Sequence, residues 1–168
     1  MAFLGRPDFI LESVTRAPSA KTGMVTYSFA ISLFAEALEL CLAKLCDDVA
    51  EEPMWEITAE VWGSDAGEFF RGRDDLRFSV PLTDFGTNFL RVTGAQMLSQ
   101  GQLVSGSRKR VLTLTGTRHM PEGWFNEDSP GTDELYMRVY LSSVFTSWQV
   151  IQTIDSRIQT GDFRGTPG

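Results

Sequence analysis

A serine or cysteine nucleophile needs a base within hydrogen-bond reach, and this chain has one histidine, His119, beside Arg118 in a stretch rich in turn residues. No nucleophile motif surrounds it. Cys41 and Cys46 fall on a predicted helix, about 140° apart around its axis, so they cannot pair within it. They read as reduced thiols used for packing on its apolar side. Zinc takes about four ligands, and two cysteines with one histidine and no CxxC spacing make a poor set. Glu56 and Glu60 share a strand face but stand roughly 13 Å apart by strand rise, too far for an acid and base pair. The glycines Gly63, Gly67 and Gly72, and Gly94, Gly101 and Gly106, match neither the P-loop nor the dinucleotide fingerprint. Together these residues predict no catalytic site, no metal and no cofactor.

The elements that would position any site follow from periodicity. Val25, Tyr27, Phe29, Ile31 and Leu33 alternate with small polar residues, which predicts a strand packed on one side. Leu33 to Glu51 reads as one long amphipathic helix. Phe34, Leu38, Cys41, Leu42, Leu45 and Val49 fall on its buried face, Ser32 is its N-cap, and Pro53 closes it. Trp55, Ile57, Ala59 and Val61 give a return strand. Leu76 to Leu82, Phe89 to Ala95, Val111 to Thr115 and Leu135 to Leu141 give four more, with Pro81 fitting an edge or an end. Gly116 to Thr132 reads as a turn-rich connection. Val144, Trp148, Ile151, Asp155 and Ile158 fit helical spacing imperfectly, while the Val, Thr, Trp and Ile of this segment favour strand; of the two, a second helix is the expectation taken.

The expected fold is therefore α+β: a compact single domain of mostly antiparallel strands with one early helix packed on the sheet. Residues 1 to 23 read as a flexible arm, 24 to 160 as the globular body, and 161 to 168 as a loose tail. A chain of 168 residues is long enough to bury one core without staples. Its 42% hydrophobic and 22% charged content fits a soluble protein. No apolar run reaches the roughly 18 residues of a spanning helix, and no signal peptide opens the sequence, so secretion is not expected. A net charge of −7 argues against sequence-specific or general nucleic-acid binding by the whole surface.

Three surfaces stand out for binding. In the arm, Phe9, Ile10 and Leu11 are large apolar groups near Pro18; they either finish the chain's own core or make contact between copies of the chain, and contact between copies is the expectation taken. At the end of the long helix, Asp47, Asp48, Glu51 and Glu52 crowd the negative pole of the helix dipole and predict a dock for a basic partner. Between strands, Met97, Leu98, Leu103 and Val104 lie in a segment rich in Gly, Ser and Gln, with Arg108, Lys109 and Arg110 directly after. That order suits an apolar tip entering a membrane while the cations stay at anionic headgroups; the alternative is that Leu103 and Val104 begin the next strand with Met97 and Leu98 packed beneath it. Phe69 and Phe70 are the next candidates for such a contact.

The order strand, helix, return strand, apolar loop and further strands resembles that of rhabdovirus matrix proteins. Ala95-Gln-Met-Leu-Ser-Gln-Gly-Gln102 is similar to the apolar loop of the vesicular stomatitis type. Arg118-His-Met-Pro121 falls where that family has a Pro-His-Arg turn. Glu134-Leu-Tyr-Met-Arg-Val-Tyr140 resembles its Glu-Leu-Thr-Met-Thr-Ile-Tyr strand. Arg16-Ala-Pro-Ser-Ala20 is similar to the P-S/T-A-P late-domain motif, with Lys21 in place of its second proline. The family's basic N-terminal tail is missing. The resemblance implies a structural protein of the virion and host cytoplasm that self-associates, contacts the nucleocapsid protein and lies peripherally at membranes during budding. The other class compatible with the residues is a small β-rich module that binds an apolar ligand or a protein.

Overall fold

The alternation from Val25 to Leu33 becomes the central strand of the molecule. In a computed structural model, residues 1–19, 23–45, 52–64, 74–126 and 132–163 are described. Strand β3 (Met24–Ala35) buries every second residue, from Val25 through Leu33 to Ala35. It is flanked by β1 (Phe3–Leu4) and β2 (Asp8–Thr15) on one side and β8 (Arg110–Pro121) on the other. The short β7 (Gln102–Leu103) completes this five-stranded antiparallel sheet.

The second sheet has six strands. Its centre is β4 (Pro53–Gly63) paired with β9 (Asp133–Ser143). Around them lie β5 (Asp75–Ser79), β6 (Phe89–Thr93), β10 (Val150–Asp155) and β11 (Gln159–Gly161). Trp55, Ile57, Ala59 and Val61, and Leu135, Met137, Val139 and Leu141, point inward as their period predicts. They join Tyr27, Ile31 and Leu33 of the first sheet in one core. The chain is thus an α+β fold whose core is mostly strand.

Several expectations are corrected. The helix is α1 (Ala37–Leu45), shorter than Leu33 to Glu51, because Leu33, Phe34 and Ala35 pair with Leu112, Val111 and Arg110 in the sheet. Ser32 is therefore a strand residue and not a cap. The buried side of α1 holds Glu39 and Leu40, whereas Leu38 and Cys41 are exposed. Val49 and Cys46 lie outside the described residues. The helix expected near the C-terminus is absent among the described residues: Val144–Thr146 is a single 3-10 turn and Val150–Asp155 is a strand on β9. Gly116 to Pro121 is not a turn but the second half of β8, held residue by residue to β3 from Phe29 back to Met24.

The supposed arm is sheet as well. Phe9 packs into the core, with its ring 5.9 Å from that of Tyr27. Gln152 of β10 ties β1 to the other sheet, donating to Leu4 O and accepting from Leu4 N. The first residue of the expected tail, Gly161, ends strand β11, and Phe163 beyond it is buried. Among the described residues no helix is long and apolar enough to cross a membrane.

All three tyrosines are held in this framework. Burial pushes each phenol up from its ordinary value of 10, and for Tyr140, where a hydrogen bond to Glu60 adds to burial, to about 12. Because the unfolded chain ionises first, their contribution to stability is complete below about pH 10 and is lost as the pH rises through the folded values. Ultraviolet titration of the folded protein should show no tyrosinate step near pH 10, while the urea midpoint falls between about pH 10 and 12. A normal step at pH 10 in the folded protein would contradict these placements.

Candidate docking site

At one end of the sandwich the chain enters and leaves both sheets repeatedly. β3 ends there at Ala35, β4 begins, β6 ends at Thr93, β8 begins at Arg110 and β9 ends at Ser143. Two helices fill the gaps. In α1, Glu39 accepts a hydrogen bond from the buried Trp55 Nε1 at 3.2 Å, which pins the helix to the start of β4. Helix α2 (Gly94–Gln100) is capped by Thr93, whose hydroxyl accepts from Gln96 N at 3.0 Å, and it is closed by Gly101 N donating to Met97 O.

That cap explains what happens to the predicted apolar loop. The Gly-, Ser- and Gln-rich stretch makes a helix one face of which is core: Met97 is fully buried and Leu98 packs against the core. Neither belongs to an inserting tip, which corrects that assignment. Leu103 is 62% exposed, while Val104 is half-buried. The three cations also separate. Arg110 Nη1 donates to Gly101 O at 2.9 Å, and Lys109 pairs with Glu36 at 3.4 Å and sits over the Phe3 ring. Arg108 is exposed and has no ion pair or hydrogen bond among the described residues.

Between the helices and β8 is a cleft of about 310 Å³. Leu40, Leu98 and Leu103 form its apolar wall, and Arg108 and Arg110 line it too. The turn from β9 to β10 adds a second apolar group at this end. Val144, Phe145, Trp148 and Val150 are each between 41% and 57% exposed. Ser147 and Trp148 have φ of 54° and 63°, the left-handed region where non-glycine residues are strained by about 1–2 kcal/mol each. Sequence reasoning missed this turn because its residues were assigned to a helix. Two successive αL residues with no glycine leave no signature in composition.

The remaining candidates lie elsewhere. Phe9 and Leu11 are committed to their own core, leaving Ile10 and the exposed Pro18 on the surface. Asp47, Asp48 and Glu51, with Phe69 and Phe70, lie outside the described residues; Glu52 is exposed just before β4. His119 Nδ1 is 2.9 Å from Thr26 Oγ1, near the far end of β3 from α1 and Cys41. Glu56 pairs with Arg91, and Glu60 accepts from Trp62 Nε1. Arg138 packs over Trp62 and Tyr136 while bonding Asp155. These groups knit the outer face of the second sheet. No group of His, Cys, Asp and Glu among the described residues could hold a metal.

Two of the segments that resemble matrix proteins take another local structure here: Ala95 to Gln102 is mostly helix and Arg118 to Pro121 is strand, while Glu134 to Tyr140 is a strand as implied. No protein-family model matches the chain, and no curated protein matches it. A solved structure described as the X-ray structure of Northeast Structural Genomics Consortium target SoR45 aligns with 99% of this chain and 88% of that one. The identity is 11% and the TM-score 0.30, a likeness too slight to carry an argument.

Proposed function

We propose that the chain is a peripheral structural protein of matrix type, which docks this end of the sandwich on an anionic membrane and associates with further copies of itself. The observation that supports the reading is that one end of an otherwise acidic protein carries exposed Leu38, Leu103, Phe145 and Trp148 and also Arg108, which has no ion pair among the described residues. Apolar groups that large contribute about 1.5–3 kcal/mol each when fully buried, and a cation near anionic lipid about 1 kcal/mol. Partial insertion of several gives reversible attachment, reinforced when copies act together. Contact with a nucleocapsid protein through the acidic stretch around Glu52 belongs to the same proposal and rests on the sequence resemblance.

Flotation with vesicles tests it. Wild type should float with anionic vesicles and much less with neutral ones. Leu103→Ser with Trp148→Ser should reduce flotation about tenfold or more, while Arg108→Gln should weaken only the anionic case. Equal flotation of the folded double variant would end the proposal for this surface. The cleft beside Leu40 and Leu98 favours a second reading, a carrier of a small apolar anion, because its volume of about 310 Å³ is at the lower end for ligand sites. A monomer that copurifies with such a molecule and ignores vesicles would select that reading.

A further inference from the structure

Beyond Val111 the outer side of β8 has no strand beside it among the described residues, since β7 reaches only Arg110 and Val111. From Leu112 to Met120 alternate backbone N–H and C=O groups therefore face outward at strand spacing, which only another strand can satisfy in full. Natural edges are protected by charge, proline or a bulge, and several other edge strands of this molecule show such devices. β2 carries exposed Asp8 and Glu12 and a register shift between Leu11 and Ser13. β10 has a shift between Val150 and Gln152, and β6 exposes Arg91. β8 has none over this stretch: its register with β3 is unbroken along its whole length.

Its exposed residues are Thr113, Thr115, Thr117 and His119, uncharged apart from the titratable imidazole. Arg118, the one full charge, is turned inward, with Nε donating to Pro81 O at 2.8 Å and its guanidinium over Phe29. Nη1 also donates to Thr117 O, which leaves that oxygen a second lone pair.

We infer that the open edge of β8 pairs antiparallel with the same edge of a second copy, about a two-fold axis at Gly116. The inference rests on the reading above that copies associate, and it names the surface. In this register Thr115 faces Thr117 of the other copy and Thr113 faces its His119, so both rows are compatible with themselves. Leu112 faces Met120 and Leu114 faces Arg118, so no like charges meet. With a net charge of −7 on each copy, a contact strip free of carboxylates is where repulsion is least. A second copy supplies such a strip; an acidic or strongly charged peptide does not. At the axis stands Gly116, where a Cβ would come within 2.6 Å of Cζ of the buried Phe29 on β3, so this position carries no side chain.

Sedimentation velocity over a concentration series tests the assignment with exposed-site variants. Wild type should show a monomer–dimer equilibrium. Thr115→Lys with Thr117→Lys sets lysines opposite one another twice and should raise the dissociation constant about tenfold or more. Thr115→Lys with Thr117→Glu sets lysine opposite glutamate and should restore it to within a few fold. Amide exchange from Leu112 to Met120 should slow as wild type is concentrated, a readout independent of the variants. Should wild type associate while both variants associate equally well and exchange at β8 stays unchanged, the copies meet through another surface and this inference is wrong. A wild type that stays monomeric in solution and on anionic vesicles overturns the self-association reading itself.

Discussion

Replacing Glu122 by alanine should lower the unfolding free energy by about 3 kcal/mol, more than any surface change in the molecule. The residue opens the 3-10 turn after β8, and its side chain is fully buried. Oε1 accepts from Arg16 Nε at 2.9 Å and Gly23 N at 2.6 Å, and Oε2 accepts from Arg16 Nη2 at 2.8 Å. Glu122 N in turn donates to Gly23 O. One carboxylate thus fastens the end of β2 and the start of β3 to the end of β8. Alanine leaves the buried Gly23 N–H without its acceptor and opens a void. Glutamine keeps the shape and one acceptor, so it should be intermediate, whereas Arg16→Met strands a fully buried carboxylate without its cation and should cost about as much as Glu122→Ala. Urea denaturation orders the three. If Glu122→Ala unfolds at the wild-type midpoint, the carboxylate is not the fastening that its contacts describe.

Trp55→Ala should be of similar or larger effect, about 3–5 kcal/mol, because the indole is fully buried between the pairing partners Ser143 and Val92. Part of that loss is local to the end of the fold that carries α1. The Nε1–H donates to Glu39, which is itself nearly buried, with the N-terminal amine 3.9 Å away. Trp55→Phe keeps most of the volume but removes the donor, so it should cost about 1–3 kcal/mol and loosen α1 preferentially. Urea unfolding gives the total, and faster amide exchange confined to Ala37–Leu45 gives the local share. Uniform loss of protection across both sheets in Trp55→Phe would show that the indole N–H does not hold the helix.

This helix also shows where the sequence stopped being informative. Leu33 and Phe34 fit a period of 3.6 as well as one of 2, and only their pairing with Leu112 and Val111 decides for strand. Met97 and Leu98 look like exposed aliphatics in a flexible segment until Thr93 caps a helix and turns Met97 into the core. Leu103, six residues on, keeps its predicted exposure because nothing among the described residues packs over it. Phe9 and Ile10 are neighbours of equal hydrophobicity, yet β2 buries the first and exposes the second, since adjacent strand residues face opposite ways.

By itself the sequence determined the three long alternating strands, β3, β4 and β9, and hence a strand-rich α+β fold. A strand with one face in a core must alternate, and that requirement is local. What covers the buried face is not local. Alternation is the same whether a helix or a second sheet lies above it, and here a second sheet does, recruiting the N-terminal residues as β2 and the C-terminal ones as β10 and β11. The end that carries α1 and α2 and the open edge of β8 likewise arise only from long-range pairing: the first from strand ends brought side by side, the second from the place where β7 stops.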